Sequence, residues 1–586
     1  MRYRNPVISG FYPDPSVCAA NGKYYMVCSS FQYFPGVPLF ESGDLVNWKQ
    51  IGYVLTRKSQ IMLEKVSSSG GVFAPTIRYH EGRFYMVTTN DSTHQNFYVY
   101  TDDIYKEWSE PVYVAQGGID PSLYFEDGHA YFMSNGCDDK GRQGVTQCEI
   151  DLATGKKLSE SRCIWQGTGG RYLESPHMYR IGNDYYLMAA EGGTEYGHMI
   201  TYARGESVWG PFEGYADNPV LTNRNKAPFI IQGIGHGDLI QDRHGDWHIF
   251  CLGFRQMHLW RPYHTLGREV FLIPVRFDES GWFQAGIDGT ADFEYELKGT
   301  FSQQIQKEYT FENTDFGVEW CYLRHPDESR YELSGDRAVL YGSRNTLDDT
   351  ASPTFIAMRQ KEFAFTLSIR LNMQETAERG EDTTGSGQGT DMAGMESGED
   401  TAGSGLGTDM AGMERGEDMA GSGHGTDMAD AESREGAVST ENGKDALRPE
   451  AGVTLYSCEN EHYEAALRKR CADSAGEKGA GASSSGSGTG YEVILRLNIG
   501  GIKHIQTALP IPGDSARLVI KGENTAYHFF VEAEEKELYL GSGEAKYLSS
   551  EVVEGFTGVM IGCYAVGDCR AEFTELKLNY EMAAGI

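Results

Sequence analysis

The sequence predicts an all-β protein, a five-bladed β-propeller followed by a β-sandwich, and two observations carry this prediction. The first half contains five segments in which a glycine precedes aromatic residues, each typical of a tight turn that leads into a strand. The second half contains alternating apolar and polar segments, which are typical of half-buried strands. With 586 residues the chain is too long for one hydrophobic core, so two domains are expected.

The spacing of the five glycines is that of propeller blades. Successive glycines lie 60, 46, 54 and 63 residues apart, which is close to the length of a four-stranded blade. The propeller is therefore expected over residues 1–297. The glycines that open the five turns are Gly22, Gly82, Gly128, Gly182 and Gly245.

The sandwich is expected over residues 305–586, with two interruptions. Residues 374–450 contain an acidic 18-residue repeat and no aromatic residue, and residues 472–490 are rich in Ala, Gly and Ser. Neither stretch can build a core, so both are expected to be disordered insertions. A calcium-binding nonapeptide roll fits the repeat less well, because only alternate nonapeptides match its pattern. The clearest strand patterns of the sandwich are 363–371, 453–457, 491–497, 518–520 and 527–531.

Composition excludes several classes of function. A formal net charge of -33 argues against nucleic acids and anionic membrane surfaces as partners, since both attract basic proteins. No apolar stretch is long enough to span a membrane, and no secretory signal precedes the first strand. The 11 cysteines are scattered and form no Cys-x-x-Cys pair. A cytoplasmic protein with reduced thiols is expected.

Three acids share one position of the blade repeat. Counting back eight residues from the five glycines gives Asp14, Ala74, Asp120, Glu174 and Gly237. Asp14 and Asp120 each lie in an Asp-Pro-Ser sequence, and Glu174 precedes Ser-Pro. The same backbone feature is therefore expected to present different side chains in different blades.

These acids are expected to meet in one pocket, because the innermost strands of a propeller begin near its axis. Three crowded carboxylates cannot all ionise easily, so their pKa values should separate. Separated pKa values suit glycoside hydrolysis, in which one carboxylate activates water and one carboxylic acid protonates the leaving oxygen.

Several motifs in this order resemble glycoside hydrolase family 43, most closely its β-xylosidase and α-L-arabinofuranosidase branch. The resemblance spans residues 1 to about 295, and the second half resembles the concanavalin-like (jelly-roll-like) C-terminal domain of that branch. The motifs are Asn5-Pro6-Val7, Phe11 to Ser16, Ser29-Ser30-Phe31, Phe34 to Pro38, Ala74-Pro75-Thr76, Ile119 to Ser122 and Glu174 to His177.

The resemblance implies roles for the three acids. It implies an inverting, single-displacement mechanism with Asp14 as general base and Glu174 as general acid, while Asp120 tunes the pKa of Glu174 and orients it. Inversion predicts that the Asp14 and Glu174 carboxyl groups stand about 6.5–9.5 Å apart, which leaves room for water.

Five further residues are candidates for substrate binding. Arg268 matches a family arginine that reaches the bound sugar, although a structural salt bridge would suit the same residue. His236 matches a family histidine on the propeller axis that orders water or a calcium ion in some relatives, and a structural histidine is the alternative. Phe31, Phe34 and Phe73 are expected to wall an apolar sugar pocket, although core residues would look the same in the sequence.

The sequence therefore predicts an exo-acting glycosidase that releases terminal β-D-xylosyl or α-L-arabinofuranosyl units from xylo- or arabinoxylo-oligosaccharides. No cofactor is required by this chemistry, and an axial calcium ion is left open. An arabinan-degrading hydrolase of the same superfamily and a non-catalytic carbohydrate-binding protein are the alternatives. The resemblance also leaves a homo-oligomer open.

Overall fold

A computed structural model of the protein describes residues 1–226, 229–257, 262–376, 447–470, 490–533 and 536–581. The central parts of both predicted insertions lie outside these residues. Their expected disorder therefore stays a prediction. The strands on either side of the longer insertion end at Glu375 and begin at Glu450.

Five four-stranded antiparallel sheets occur in the described residues of the first half. Their innermost strands contact one another in sequence, and the innermost strand of the fifth sheet contacts that of the first, so the sheets form the five blades of a closed propeller. The strands, blade by blade, are Ser16–Ala20, Lys23–Val27, Gly36–Ser42 and Trp48–Leu55; Thr76–His80, Arg83–Asn90, Gln95–Thr101 and Val112–Val114; Ile119–Glu126, His129–Cys137, Gln143–Ile150 and Arg162–Trp165; Glu174–Ile181, Asp184–Glu191, Met199–Gly205 and Phe212–Gly214; Ile231–Gln241, Trp247–Arg255, Glu269–Phe277 and Phe283–Ala285.

The five predicted glycine turns are confirmed. Each glycine joins the first and second strands of one blade and has a φ between 65° and 86°. Glycine adopts this left-handed conformation without the steric penalty that a Cβ atom brings. The N-terminal strand Arg2–Arg4 pairs with Glu294–Glu296, so the two ends of the propeller sequence are joined by backbone hydrogen bonds.

The second half forms a sandwich of two sheets. The predicted strand segments are confirmed, and Ala364–Glu375 alternates between buried and partly exposed side chains as the sequence pattern indicated. In spatial order the first sheet contains Tyr331–Ser334, Arg337–Tyr341, Cys569–Glu581, Ala364–Glu375, Ser515–Gly522, Ala526–Ala533 and Lys536–Glu544, with Glu308–Tyr309 paired to Cys569–Glu581. The second contains Ile502–Ile511, Tyr491–Ile499, Glu461–Lys469, Glu450–Cys458, Met560–Val566, Thr354–Arg359, Cys321–Leu323 and Tyr33–Phe34.

Helical structure among the described residues is limited to short turns. The α-helical turn Ser550–Val553 follows the 3₁₀ turn Ala545–Leu548, and two other 3₁₀ turns cover Asp91–Thr93 and Glu328–Arg330. None of these helices is long and apolar enough to cross a membrane.

The propeller and the sandwich share backbone and side-chain contacts. The short strand Tyr33–Phe34 belongs to the first blade's connection, yet it pairs with Cys321–Leu323 at the edge of a sandwich sheet. Arg324 is fully buried beside this strand and donates hydrogen bonds to the Val66 and Asp349 carbonyl oxygens. These contacts join the sandwich to a connection within the first blade and to the segment between the first and second blades.

Candidate active site

A strained backbone conformation recurs at the start of the innermost strands. Asp14, Asp120, Ser175 and His236 have φ values of 56°, 53°, 53° and 46°. Residues other than glycine seldom adopt positive φ, and such strain concentrates at functional sites. The left-handed residue is the predicted acid itself at Asp14 and Asp120, whereas in the fourth and fifth blades it is the neighbour of the predicted position, Ser175 and His236.

Asp14 lies in a polar, charged environment that favours its ionised form. Its Oδ2 accepts a 2.5 Å hydrogen bond from Ser29 Oγ, and its Oδ1 accepts a 3.1 Å hydrogen bond from Arg268 Nη1. Burial alone would raise the pKa of Asp14, but the Arg268 charge, His236 and the Ser29 hydrogen bond together lower it below its ordinary value. Asp14 is therefore a carboxylate over the whole neutral range.

The environments of Glu174 and Asp120 instead favour the protonated carboxyl group. Burial, followed by repulsion from Asp14, raises the pKa of Glu174 to about 7. Burial and repulsion from Glu174 and Asp14 also raise the pKa of Asp120 well above its ordinary value, although its Oδ2 accepts a 3.2 Å hydrogen bond from the Ser175 backbone N–H. The two groups together therefore retain a proton near neutral pH, while Asp14 does not.

Two buried histidines adjoin the acids. His236 Nδ1 lies 3.5 Å from Asp14 Oδ1 and 3.9 Å from Asp120 Oδ2. His198 donates through Nδ1 to the Gly233 carbonyl oxygen, and a side chain at Gly235 would collide with its ring. Burial lowers the pKa of both histidines, for His198 to about 3, so both imidazoles are neutral at physiological pH.

Arg268 connects Asp14 to two other parts of the chain. Besides Asp14 it donates hydrogen bonds to Thr194 Oγ1 at 2.7 Å and to the Phe556 carbonyl oxygen at 3.3 Å. Its guanidinium group also lies over the rings of Phe31 and Phe556, at 5.8 and 5.6 Å from their centroids. Arg268 thus lies beside Asp14, in a salt bridge, and joins the propeller to a loop of the sandwich, while its contact with a bound sugar stays a prediction.

Aromatic rings from both halves form one wall beside Arg268. Phe31 stacks on Phe556 with ring centroids 5.8 Å apart and contacts Phe73 at 5.6 Å. Phe34, the third predicted wall residue, is not part of this group. It packs in a separate apolar cluster and against His325 at 4.7 Å, because its strand is occupied in pairing with the sandwich.

A buried ion pair lies on the axis and joins four blades. Asp238 accepts hydrogen bonds from Arg78, from Ser16 Oγ at 2.7 Å and from Tyr179 OH at 2.5 Å. Arg78 also bonds His177 Nδ1 at 2.9 Å. Because Ser16 follows Asp14 and His177 follows Glu174 closely in the chain, this network fixes the strand starts that carry two of the acids.

We expect Arg78→Met to reduce stability by about 3–5 kcal/mol, because it leaves the fully buried Asp238 carboxylate without its partner. The matched control is Arg83→Met in the same hairpin, whose ion pair with Asp102 is largely exposed and should contribute far less to stability. Urea unfolding of both variants checks this. Equal losses in the two variants would contradict a special role for the axial pair.

The described side chains around His236 give no independent support for a calcium ion. Calcium binds six to eight oxygen atoms, typically from several carboxylates and carbonyls. In the part of the chain that the structure describes, no group of three or more His, Cys, Asp or Glu side chains is arranged to hold a metal ion. The axial calcium ion stays a prediction, and the chemistry proposed below uses none.

Sequence reasoning missed part of the site. It did not single out Ser29, Thr194 or His198. Ser29 bonds Asp14, Thr194 bonds Arg268, and His198 lies near both Asp14 and Arg268. Ser29 was within reach of the sequence, because it lies in one of the motifs that carried the family resemblance. Thr194 and His198 carry no local signal, since only the packing of the fourth blade against the fifth brings them to the axis.

Comparison with known proteins links both halves of the chain to one enzyme family. A model of glycosyl hydrolases family 43 matches residues 3–283, and a model of the beta xylosidase C-terminal concanavalin A-like domain matches residues 308–381 and 437–577. The structure of Bacteroides ovatus Xyloglucan PUL GH43B superposes with a TM-score of 0.78 at 30% identity, covering 99% of this chain and 100% of that one.

Relatives of known activity are similar over most of their length. The chain is 32% identical to the non-reducing end alpha-L-arabinofuranosidase BoGH43B of Bacteroides ovatus, over 97% of this chain and 92% of that protein. It is 37% identical to a xylosidase/arabinosidase of Butyrivibrio fibrisolvens, over 63% of this chain and 74% of that protein. It is 32% identical to a beta-xylosidase of Bacillus subtilis, over 62% of this chain and 73% of that protein.

Proposed function

Because the chain belongs to glycosyl hydrolases family 43, we propose that it is an exo-acting, inverting glycosidase that releases terminal β-D-xylosyl or α-L-arabinofuranosyl units from oligosaccharides. The observation that carries the proposal is the meeting of three carboxyl groups with opposed pKa shifts. Asp14 is ionised, whereas Glu174 and Asp120 together hold a proton. A base and an acid are thus available in one pocket at the same pH.

Asp14 is the proposed general base. Ser29 and Arg268 hold its two oxygens in place, so the carboxylate can take a proton from a water molecule that attacks the anomeric carbon. In one displacement, the water oxygen bonds to that carbon as the glycosidic C–O bond breaks. The attacking water's proton passes to Asp14.

Glu174 is the proposed general acid. Its carboxyl group receives no hydrogen bond from any other described residue, whereas Asp120 accepts one from the Ser175 N–H. The shared proton is therefore placed on Glu174, which donates it to the departing oxygen. Asp120 shares this proton with Glu174, because burial and repulsion from Glu174 and Asp14 raise the pKa of Asp120 as well.

The proposed exo action follows from the Phe556 loop. Phe556 comes from the sandwich, stacks on Phe31 and donates its backbone N–H to Ser69 Oγ at 2.8 Å. The preceding helical turn is held to the propeller through Glu551, which accepts hydrogen bonds from His264 and from Tyr196 OH. The sandwich therefore closes one side of the pocket, which suits a chain end better than the middle of a polymer.

The same contacts weigh against the two alternatives. An endo-acting arabinan-degrading hydrolase needs an open cleft, and the Phe556 loop narrows it. A non-catalytic carbohydrate-binding protein has no use for three buried carboxyl groups with opposed pKa shifts, since unpaired buried charge is destabilising. Neither alternative is favoured by any contact of the site.

We expect kcat/KM to fall as the pH rises through about 7, because the proton needed on Glu174 is then lost. At acidic pH the base should stay ionised, because the pKa of Asp14 is lower than that of an ordinary aspartate. Activity should therefore persist at mildly acidic pH. A pH profile on xylobiose, which has a poor leaving group, measures this. Activity that rises between pH 6 and pH 8 would contradict the assignment of the acid.

A side-by-side assay tests the proposed substrate class. Purified protein is incubated with 4-nitrophenyl β-D-xylopyranoside and with 4-nitrophenyl α-L-arabinofuranoside, and Asp14→Asn serves as the inactive control. Release of nitrophenol by the native chain alone supports the proposal, and the ratio of the two rates identifies the preferred sugar. A folded protein that cleaves neither compound would overturn it.

A further inference from the structure

A second cleft lies beside the proposed acid and is separate from the pocket that holds the three carboxyl groups. Its volume is about 540 Å³, and Asp14, Asp120, Glu174 and Arg268 do not line it. Residues that line it are Gly170, Arg171, Gly192, Tyr196, Arg224 and Asn225.

Two loops that line the cleft lie close to the proposed acid, because Arg171 and Gly192 are joined by a backbone hydrogen bond next to the pair Glu174 and Ala190. Arg171 belongs to the loop that leads directly into the strand beginning at Glu174. On the other side, the loop that contains Gly192 and Tyr196 also carries Thr194, which bonds Arg268. Since the general acid protonates the departing oxygen, a cleft close to Glu174 is placed to receive the part of the substrate that leaves.

Two arginines line the cleft, although the protein as a whole is strongly acidic. Both charged side chains that line it are arginines, whereas the whole chain carries a formal net charge of -33. Arg171 pairs with Glu195, which offsets one of the two charges. Arg224 forms no ion pair with any residue that the structure describes, so one positive charge remains in a concave surface, where it attracts anions.

An exposed aromatic ring stands next to Arg171, at the edge of the cleft lining. Tyr172 has 60% of its surface exposed and a φ of 53°, and the Arg171 guanidinium group lies 5.1 Å from its ring centroid. A bulky residue in a left-handed conformation is strained, and an exposed tyrosine gains little stability from packing. An aromatic face beside an arginine suits a ligand that combines a sugar ring with an anionic group.

We propose that this cleft binds a carboxylate-bearing sugar on the leaving-group side, namely a uronic acid substituent of a xylo-oligosaccharide. Arginine recognises carboxylates through paired, charge-assisted hydrogen bonds, and Tyr172 provides a face on which a sugar ring can stack. The inference rests on the proposed function, because it takes Glu174 as the acid. The enzyme would then prefer acidic over neutral oligosaccharides of the same length.

The first test compares kcat/KM for two xylo-oligosaccharides of equal length, one neutral and one with a glucuronosyl group on the leaving part. Native enzyme should favour the acidic compound, and Arg224→Gln should lower the acidic-to-neutral ratio about fivefold. Arg171→Gln should lower it less, because Glu195 shares that arginine. Arg2→Gln is the matched control, because Arg2 is exposed and lies far from this cleft in the chain. This substitution should leave the ratio unchanged.

Raising the salt concentration to 0.5 M should reduce the acidic-to-neutral ratio of the native enzyme, since salt screens exposed charges.

A second test measures binding without turnover. Calorimetry of Asp14→Asn with the acidic oligosaccharide should show binding that weakens about fivefold when Arg224→Gln is added. If the native enzyme hydrolyses both compounds equally, or both arginine variants keep the native ratio, this proposal fails and the proposed function stands. If no glycoside is cleaved but binding depends on Arg224, the cleft is supported and the proposed function fails.

Discussion

Asp14→Asn should lower kcat about a thousandfold on every glycoside that the enzyme accepts, because an amide cannot take a proton from the attacking water. The loss should be the same for good and poor leaving groups, since water must be activated in either case. Asn preserves the shape of the side chain and tolerates the left-handed backbone at φ 56°, whereas Ala would add strain to the loss of the carboxylate. Steady-state kinetics on an aryl glycoside and on an oligosaccharide measure the effect.

Asp127→Asn is the matched control for this substitution. Asp127 also has a left-handed backbone, with φ 50°, but it lies exposed in the turn of the third blade. Its replacement should leave kcat unchanged. A loss confined to Asp14→Asn, in a protein with the native melting temperature, assigns the effect to the carboxylate. Retention of more than about a tenth of the native kcat would remove Asp14 from the role of base.

Glu174→Gln should separate substrates by their leaving groups. On xylobiose, whose departing oxygen needs a proton, kcat/KM should fall about a thousandfold. On 2,4-dinitrophenyl glycosides the departing phenolate is stable without a proton, so the loss should be about tenfold or less. The decrease of native activity above pH 7 should also disappear, because the group that titrates there has been removed.

The comparison between the two substrates is its own control, since misfolding would affect both equally. Equal losses on xylobiose and on the dinitrophenyl glycoside, in a variant that keeps the native melting temperature, would show that Glu174 is not the acid. An alkaline decrease that persists in Glu174→Gln would place the titrating proton elsewhere, with Asp120 as the nearest carboxyl group.

Those features of the fold that depend on local chemistry could be predicted from the sequence. Glycine turns define the blades because few other residues adopt positive φ, and each of the five turns lies where it was expected. The acids could be predicted because they occupy one position of a repeated strand, and a propeller brings equivalent positions together. Asp14, Asp120 and Glu174 could therefore be identified without knowledge of contacts between distant parts of the chain.

The rest of the site depends on contacts between distant parts of the chain. Arg268 bonds Thr194 and Phe556, which lie 74 and 288 residues away along the chain. Phe34 illustrates the opposite error, since an aromatic residue next to a site motif looks like a pocket wall in sequence. Its strand is instead recruited by the sandwich, a pairing that no local pattern indicates.

The anomeric configuration of the first product tests the central claim most directly. The claim is that Asp14 delivers water to the face opposite Glu174 in a single displacement, with about 6.5–9.5 Å between the two carboxyl groups. Proton NMR during hydrolysis of a β-D-xyloside, before the released sugar equilibrates, should show α-D-xylose first; if the enzyme prefers an α-L-arabinofuranoside, the β-anomer should appear first. Initial appearance of the anomer with the substrate's own configuration would indicate a covalent intermediate and contradict the roles proposed for Asp14 and Glu174.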